Sequence, residues 1–296
     1  MSKKQKNAIF FGILSAMLYG TSTPIAKVLL SEIPPTMLTA LLYMGAGFGM
    51  LLLNICKKAR GTTKRDKPLT AKDYPYIIGM VVLDIAAPIF LMIGLSHTTA
   101  ANASLLNNFE IVSTSLIALF IFKEKVSKRL WLGIILVTAA SIILTVDNIC
   151  CLYFSYGSLL ILLATICWGL ENNCTKKLSL TDPIKIVIIK GFGSGFGALF
   201  IALTLGEYTD NLLFALIALA VGFVAYGLSI FFYIYAQREL GAAKTSTYYG
   251  IAPFIGVLFS LIIFREIPSI SFIIALIFMI FGTYFTSTDY KNQKLC

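Results

Sequence analysis

Four ionisable side chains lie inside long apolar stretches of the sequence: Asp84, Glu110, Glu171 and Lys190. If these stretches cross a membrane, each charge costs about 2.5–3.5 kcal/mol when it faces lipid at the centre of a helix. We therefore expect the four side chains to face a polar interior. An ion pair between Glu171 and Lys190 is one expectation, and plain structural burial is the alternative. A single pair leaves two acids without a buried base, which favours a cationic group on a bound molecule or a carboxylate that takes up protons.

Glu110 is the strongest candidate among these groups. In a continuous helix, Asn107, Glu110 and Thr114 share one stripe, with Asn108 beside it. The asparagine amides can hydrogen-bond a carboxyl group in either protonation state. An acid in this setting can bind a cationic group in one state and a proton in the other. The alternative is that these polar side chains hold neighbouring helices together.

Aromatic residues in the same stretches have rings and polar tips that suit an amphipathic or cationic molecule, through hydrogen bonds and cation–π contacts. The predicted binding residues are Tyr19, Asp84, Asn107, Asn108, Glu110, Trp168, Glu171, Asn172, Tyr248 and Tyr249. Three prolines inside apolar stretches, Pro24, Pro88 and Pro253, are predicted to interrupt helices and to act as hinges.

The elements that position these residues follow from composition. Of the 296 residues, 58% are hydrophobic and 13% are charged, whereas a soluble domain has about 25% charged residues. Apolar stretches of about 20 residues recur along the chain, and in lipid each can satisfy its backbone only as a helix. The sequence therefore predicts an all-α integral membrane protein with ten transmembrane helices. The predicted spans are 8–30, 36–56, 74–96, 100–122, 130–146, 157–178, 183–205, 211–236, 242–264 and 269–287.

The net charge of +10 is explained by the position of the basic residues. Most Lys and Arg residues fall in every second loop, and the opposite loops hold Arg265 together with acids such as Glu32 and Glu207. Because basic loops stay in the cytoplasm, this pattern predicts a multi-pass protein of the cytoplasmic (inner) membrane with both termini in the cytoplasm. The charge therefore does not call for a nucleic-acid partner.

The chain contains an internal repeat. At an offset of 148, Pro35 and the residues from Gly45 to Leu51 match Pro183 and the residues from Gly193 to Leu199. At an offset of 142, the residues from Ala100 to Glu124 match those from Ala242 to Glu266. We predict a first five-helix repeat over 1–150 and a second over 151–296. Because each repeat crosses the membrane an odd number of times, the second repeat is inverted relative to the first. Inverted repeats are typical of carriers whose substrate site lies where the halves meet. The alternative is that the duplication only builds a stable scaffold.

These features resemble the drug/metabolite transporter superfamily, in particular its ten-helix EamA branch. The matching pieces are LSAMLYG (14–20) and LATICWG (163–169), a proline followed by a glycine-rich second helix, and a fourth helix that ends in FKEK or FREI. The resemblance covers nearly the whole chain. It implies transport of a small metabolite by alternating access, along a path enclosed by helices 1, 3, 4, 6, 8 and 9 of the ten.

The sequence departs from the family pattern at two positions. Pro253 occupies the place of a family proline in the ninth span, but the fourth span has Ile111 there. Lys190 matches a basic residue seven positions after the proline of the seventh span, but Leu42 stands at the equivalent position of the second span. These departures indicate a subgroup with its own substrate chemistry.

We expect a secondary active transporter. The first interpretation is that it exports a small polar, cationic or amphipathic metabolite and that export is coupled to protons. A facilitative channel-like permease or a non-transporting membrane receptor is the alternative. A membrane-embedded enzyme is disfavoured because the chain has one histidine and no paired aspartate motif near a membrane face. The expected partners are a small-molecule substrate and membrane lipid, in a monomer or weak homodimer. No cofactor or metal is expected, because there is no P-loop and the six cysteines lack metal-ligand spacing.

Overall fold

The computed structural model of the protein describes residues 3–59, 69–122, 128–148, 153–178, 181–240, 245, 248–265 and 267–289. These residues form helices almost throughout, together with one ribbon of two short antiparallel strands, β1 (Val146–Asn148) and β2 (Tyr153–Phe154). The helices are α1 (Lys3–Gly20), α2 (Ser22–Leu29), α3 (Pro35–Ala59), α4 (Tyr74–Ser96), α5 (Ala100–Leu106), α6 (Phe109–Phe122), α7 (Lys128–Thr145), α8 (Tyr156–Leu178), α9 (Pro183–Thr204), α10 (Leu212–Val221), α11 (Ser229–Leu240), α12 (Ala252–Phe264) and α13 (Ile270–Asp289). A single 3-10 turn (Ala71–Asp73) precedes α4, and a π-helical segment (Gly222–Leu228) joins α10 to α11.

The helices account for the ten predicted spans within the described residues. Six continuous segments are long and apolar enough to cross a membrane: Lys4–Leu29, Pro35–Ala59, Ala71–Ser96, Lys128–Thr145, Pro183–Thr204 and Leu212–Ala236. Two shorter apolar helices, Ala252–Phe264 and Ile270–Phe285, correspond to the last two spans. The sixth span, α8, has 23 residues but includes Glu171, and the fourth span is divided into α5 and α6.

Several helices begin at residues that cap them. Asp182 precedes Pro183, the first residue of α9, and its carboxylate accepts the Ile184 amide at 3.0 Å. Proline is favoured at this position because the first amides of a helix have no partner inside it. Asn211 caps α10 and Thr99 caps α5 in the same way, each through a side-chain oxygen.

The helix contacts repeat between the two halves of the chain. The second and seventh spans, α3 and α9, pack against each other, and so do the fifth and tenth, α7 and α13. The first span, α1, packs on α11 and α12 of the second half, and its counterpart α8 packs on α4 and α6 of the first half. In a pair of inverted repeats, equivalent helices make equivalent contacts with the other half, as these helices do. The predicted fold class is therefore confirmed. The domain boundary at residue 150 stays a prediction.

The contact between α3 and α9 depends on small residues. A Cβ atom built on Gly47 would lie 3.1 Å from the Phe192 amide nitrogen, and one built on Gly191 would overlap the backbone of Gly47. The two backbones therefore touch, which small residues permit in membrane helices. The close approach also fixes Tyr43 of α3 and Lys190 of α9 beside the interior of the bundle.

The fourth span is not the continuous helix that the sequence predicts over 100–122. Its backbone forms a turn at Asn107 and Asn108, where the Asn108 amide bonds the Leu105 carbonyl at 3.2 Å and the Ile111 amide bonds the Asn108 carbonyl at 3.0 Å. These bonds reach back three residues instead of four. Asparagine favours turns because its side chain competes with backbone groups for hydrogen bonds. The predicted stripe of Asn107, Glu110 and Thr114 is therefore wrong.

The three prolines behave differently from one another. Pro24 has no amide to bond the carbonyl of Gly20, and α1 ends at Gly20. Pro88 lies inside α4, which continues past it to Ser96, so the predicted interruption is wrong there. Neighbouring groups in a bundle can satisfy the carbonyl that such a proline leaves free. Pro253 is the second residue of α12, where a missing amide costs little. Whether any of them acts as a hinge stays a prediction.

The two ends of the bundle differ in charge. The acidic end contains 30–35, 96–99 and 205–211, with Glu32, Glu207 and Asp210, and the basic end contains the ends of α3, α7 and α8 that carry Lys57, Lys128 and Lys177.

Contacts between segments tie the acidic end together. The Lys27 ammonium donates to the carbonyls of Leu95 at 2.5 Å and Thr98 at 2.8 Å, at the end of α4. The Glu207 carboxylate accepts from the Met37 amide at 2.9 Å and the Thr36 hydroxyl at 3.1 Å, in the first turn of α3. These contacts join α2 to the end of α4 and join α3 to the segment that follows α9.

Candidate functional site

A cavity of about 90 Å³ lies inside the bundle, between the two halves of the chain. One water molecule needs roughly 10–15 Å³ by this measure, so the cavity has room for several waters or part of a small metabolite. Its lining residues are Tyr19, Tyr43, Asp84, Glu110, Trp168, Glu171, Asn172, Thr175, Lys190, Tyr226, Ile230, Tyr233, Ile234 and Tyr249. They come from eight of the ten spans, which explains why no single segment of the sequence defines the site.

Seven of the ten predicted binding residues line this cavity: Tyr19, Asp84, Glu110, Trp168, Glu171, Asn172 and Tyr249. The other three, Asn107, Asn108 and Tyr248, lie elsewhere in the bundle. Asn107 lines a separate small pocket, and the Asn108 side-chain oxygen accepts from the Thr283 hydroxyl of α13 at 3.5 Å. The turn between α5 and α6 separates these two amides from Glu110, which is why the prediction placed them wrongly.

Tyr248 packs against α1 and α11 instead of lining the cavity. It joins a small apolar cluster with Ala8 and Ala236, and its Cβ would lie 3.6 Å from a Cβ built on Gly12. Successive residues of a helix point about 100° apart, so Tyr249 faces the cavity while Tyr248 faces away.

Asp84, Glu171 and Lys190 form a buried ion triad. The Lys190 Nζ atom lies 3.0 Å from Asp84 Oδ2 and 2.9 Å from Glu171 Oε1. The Thr175 hydroxyl also donates to Glu171 Oε1, and the Tyr43 hydroxyl lies 3.4 Å from Asp84 Oδ1. The ion pair expected between Glu171 and Lys190 is thus present, with Asp84 as a third member. One ammonium serves two carboxylates, which leaves the triad with one excess negative charge.

Glu110 is the acid outside this triad. Its Oε1 atom accepts a hydrogen bond of 2.6 Å from the side-chain amide of Asn172 on α8. Across the described ranges, Glu110 forms no ion pair with a lysine or arginine. The cavity therefore contains three carboxylates and one ammonium, a net charge of −2 when all four groups are ionised.

Five tyrosines line the other side of the cavity and form a continuous series, which we call the tyrosine chain: Tyr43, Tyr226, Tyr19, Tyr249 and Tyr233. Successive ring centroids lie 5.4, 5.8, 5.8 and 4.9 Å apart. These spacings fall in the range of favourable aromatic pairs. The chain presents ring faces and hydroxyl groups to the cavity, a surface suited to an organic cation.

Sequence reasoning did not single out Tyr43, Tyr226 and Tyr233. Tyr43 directly follows Leu42, which is the repeat counterpart of Lys190. This correspondence was the signal that could have placed Tyr43 near the cavity. Tyr226 lies in the π-helical segment, which rotates the side chains that follow it by an amount that an α-helical pattern does not reveal. Such segments are frequent at functional sites.

Ten membrane spans in two inverted repeats around a polar cavity define a membrane transporter. The sequence profile of the EamA-like transporter family matches residues 6–146 and again residues 155–288. Because these matches cover most of the chain, the protein belongs to the EamA-like transporter family, and the predicted relation to the drug/metabolite transporter superfamily is confirmed.

Related proteins agree with this assignment. An uncharacterized transporter of Methanothermobacter thermautotrophicus is 28% identical over 286 residues, which cover 92% of this chain and 83% of that protein. The uncharacterized transporter YetK of Bacillus subtilis is 26% identical over 204 residues, which cover 67% of this chain and 59% of YetK. A protein crystal structure superposes with a TM-score of 0.67 at 16% identity, over 95% of this chain and 96% of the other, so the fold is shared. The family and these relatives are transporters rather than enzymes.

Proposed function

We propose that the protein is a secondary carrier that exports a small cationic metabolite across the cytoplasmic membrane by alternating access. The observation that carries this proposal is the charge of the cavity. Three carboxylates face one ammonium, and Glu110 has only the Asn172 amide as its partner among the described contacts. Excess negative charge in a low-dielectric interior is costly unless a cation or a proton balances it.

The tyrosine chain supports the same substrate class. An ammonium or guanidinium group bound to Glu110 would also lie near the rings of Tyr19 and Tyr249, which line the same cavity. Cation–π contacts contribute roughly 0.5–2 kcal/mol, more when the cation is desolvated. A neutral or anionic metabolite could use the hydroxyl groups and rings but would leave the carboxylates unbalanced.

Proton coupling follows from competition at Glu110. A carboxylate can neutralise a bound cation or accept a proton, but it does not do both at once. Asn172 can donate to the ionised carboxylate, and its amide oxygen can accept from the protonated acid after a rotation. Exchange of a proton for a substrate cation at this group would couple export to the proton gradient.

The charge of the two ends supports an orientation with the basic end in the cytoplasm. Thr175 lies in the last turn of α8, close to the basic end, so the cavity extends from the middle of the bundle toward that side. The acidic end is closed by the contacts of Lys27 and Glu207. This conformation would receive substrate from the cytoplasm, as an exporter requires.

Cysteine labelling in sealed cells tests the orientation. Tyr208 is exposed at the acidic end and Lys128 is exposed at the basic end. We expect an impermeant maleimide to label Tyr208→Cys from outside and to leave Lys128→Cys and the native, exposed Cys56 unlabelled. The 57–73 loop, of which residues 60–68 lie outside the described residues, is predicted to be cytoplasmic as well, so labelling of Cys56 in sealed cells would contradict the orientation.

The substrate class is tested with the purified protein and matched sets of metabolites. Each set contains an amine, its neutral amide derivative and its carboxylic acid analogue. A ligand that binds the folded state raises the melting temperature, so we expect the amines alone to do so. Amines that bind are then tested for counterflow in proteoliposomes, which a carrier shows and a channel-like permease does not. Stabilisation by the acids, with none by the amines, would overturn the proposed substrate class.

A further inference from the structure

A second pocket, of about 10 Å³, lies next to the cavity. Its walls come from three places where the chain interrupts a membrane span: the end of α1, the end of α5 and the start of α12. Tyr19 lines both spaces, so the pocket and the cavity adjoin at this residue. The volume is close to that of one water molecule, roughly 10–15 Å³ by the same measure.

Oxygen atoms without hydrogen-bond partners face this pocket. Ser104 Oγ and Asn107 Oδ1 belong to side chains that are 1% and 6% exposed, and neither atom has a partner among the described residues. Pro24 has no amide for the carbonyl of Gly20. The buried hydroxyl-bearing side chain of Thr23 also lines the pocket. Buried polar atoms are normally satisfied, so these oxygens indicate an occupant.

The space beside Gly256 brings two of these oxygens together. A Cβ built on Gly256 would lie 2.6 Å from Ser104 Oγ and 2.9 Å from the carbonyl oxygen of Gly20. Both oxygens therefore face one point, which carries no atom because residue 256 has no side chain. A methyl group at this point would overlap both oxygens.

We propose that this pocket binds a sodium ion. The groups that face it are carbonyl, hydroxyl and amide oxygens, which are the ligands that hard cations prefer. Among the described residues no carboxylate lines it, which favours a monovalent ion over a divalent one. Carriers with interrupted helices bind Na⁺ through carbonyls of the unwound backbone, and here three interruptions meet. Ionised carboxylates in the adjacent cavity would add an attraction for any cation.

Sodium binding would stabilise the conformation seen here. The ion would join the end of α1 to the end of α5, two helices of the first half that both pack on α12 of the second half. Its loss would let these segments separate. Tyr19 would transmit the change to the substrate cavity, because its side chain forms a wall of both spaces.

The test uses the full-length purified protein in detergent without any metabolite. Melting temperature is measured as CsCl is replaced by NaCl or by KCl at constant total salt. We expect a saturable rise with Na⁺ and a smaller one with K⁺, because ligand binding to the folded state raises the melting temperature. Equilibrium dialysis with ²²Na⁺ then gives the affinity directly.

Ser104→Ala removes one ligand, and we expect it to weaken ²²Na⁺ binding by about tenfold or more. The matched control is Ser113→Ala, which removes another buried hydroxyl without a partner that lies outside the pocket. We expect Ser113→Ala to bind ²²Na⁺ as the wild type does. If Ser104→Ala does not fold, Thr23→Val supplies a second variant, since it replaces the hydroxyl of another residue that lines the pocket at nearly constant volume.

Identical melting curves in NaCl and CsCl, together with no saturable ²²Na⁺ binding to the wild type, would overturn this proposal and leave a water molecule in the pocket. Equal losses of ²²Na⁺ binding in Ser104→Ala and Ser113→Ala would overturn it as well. Neither measurement includes a metabolite or another organic cation, so the outcome is independent of the proposed substrate.

Discussion

The two sides of the cavity come from one repeated backbone but carry different chemistry. On one side, helices α4, α6, α8 and α9 supply three carboxylates and an ammonium. On the other, the tyrosine chain supplies rings and hydroxyl groups from α1, α3, α11 and the segments next to α10 and α12. Glu171 corresponds to Ser22 in the repeat, at the offset of 149 that relates Trp168 to Tyr19. Glu110 corresponds to Ala252 at the offset of 142.

This difference separates two requirements of a carrier. A symmetric backbone lets the halves exchange equivalent conformations, which alternating access needs. Recognition of a particular molecule needs an asymmetric surface, and here the charges are confined to one side. Variants of the ion triad should therefore change stability, whereas variants of Glu110 and of the tyrosine side should change substrate binding.

The largest effect is expected from Lys190→Met, which removes the one ammonium among the described residues that line the cavity. Two buried carboxylates, Asp84 and Glu171, then lose their partner, and breaking a buried ion pair in this way costs about 3–5 kcal/mol. We expect a much lower melting temperature at neutral pH and partial recovery at acidic pH, where the carboxyl groups are protonated. The control is Lys185→Met on the exposed face of the same helix. Equal stability of the two variants would contradict the ion triad.

An intermediate effect is expected from Tyr249→Ala on the tyrosine side. Loss of a cation–π contact of roughly 0.5–2 kcal/mol should weaken binding of a cationic ligand about two- to thirtyfold, whereas Tyr249→Phe should retain most of the affinity. Tyr248→Ala is the control, because this neighbour does not line the cavity. Affinity can be measured by ligand-dependent melting. A larger loss in Tyr248→Ala than in Tyr249→Ala would reverse the assignment of the two tyrosines.

A further pair of variants compares the stability contribution of a hydroxyl on the charged side with that of one on the tyrosine side. Thr175 donates to Glu171, and a hydrogen bond to a charged group contributes about 1.5–3 kcal/mol, so Thr175→Val should lower stability measurably. The Tyr43 hydroxyl lies 3.4 Å from Asp84 Oδ1, near the limit for a hydrogen bond. We expect Tyr43→Phe to stay within about 0.5 kcal/mol of the wild type. Denaturation of both variants beside the wild type measures this ranking, and a greater loss in Tyr43→Phe would contradict it.

Most of the fold could be predicted because its signals are local or repeated. Apolar length defines the spans, basic loops indicate an orientation, and the match of Gly45 to Gly193 reveals the duplication. The turn at Asn107 and Asn108 was missed because the sequence lacks the proline that usually marks such a break, and Ile111 stands in its place. Two adjacent asparagines produced the interruption without it.

The site was predicted less completely than the fold. Charges such as Asp84 and Glu110 are costly in lipid, so their positions alone indicate a polar interior. Tyrosine has no comparable cost, and the chain contains 14 of them, so composition could not select Tyr226 or Tyr233. Their place in the cavity depends on how α11 and the π-helical segment pack against α1, which is a tertiary contact.

Transport by the Glu110→Gln variant in proteoliposomes tests the central claim most directly. This change keeps the shape of the side chain and removes its charge, and Glu32→Gln at the acidic end is the matched control. We expect Glu110→Gln to fold and insert normally and to lose most transport, or to lose its dependence on the proton gradient. In the wild type, substrate binding should weaken as pH falls, because protons compete with the cation for Glu110, and this dependence should be absent in the variant. An unchanged rate and pH profile in Glu110→Gln would contradict the account and leave Glu110 as a contact between helices α6 and α8.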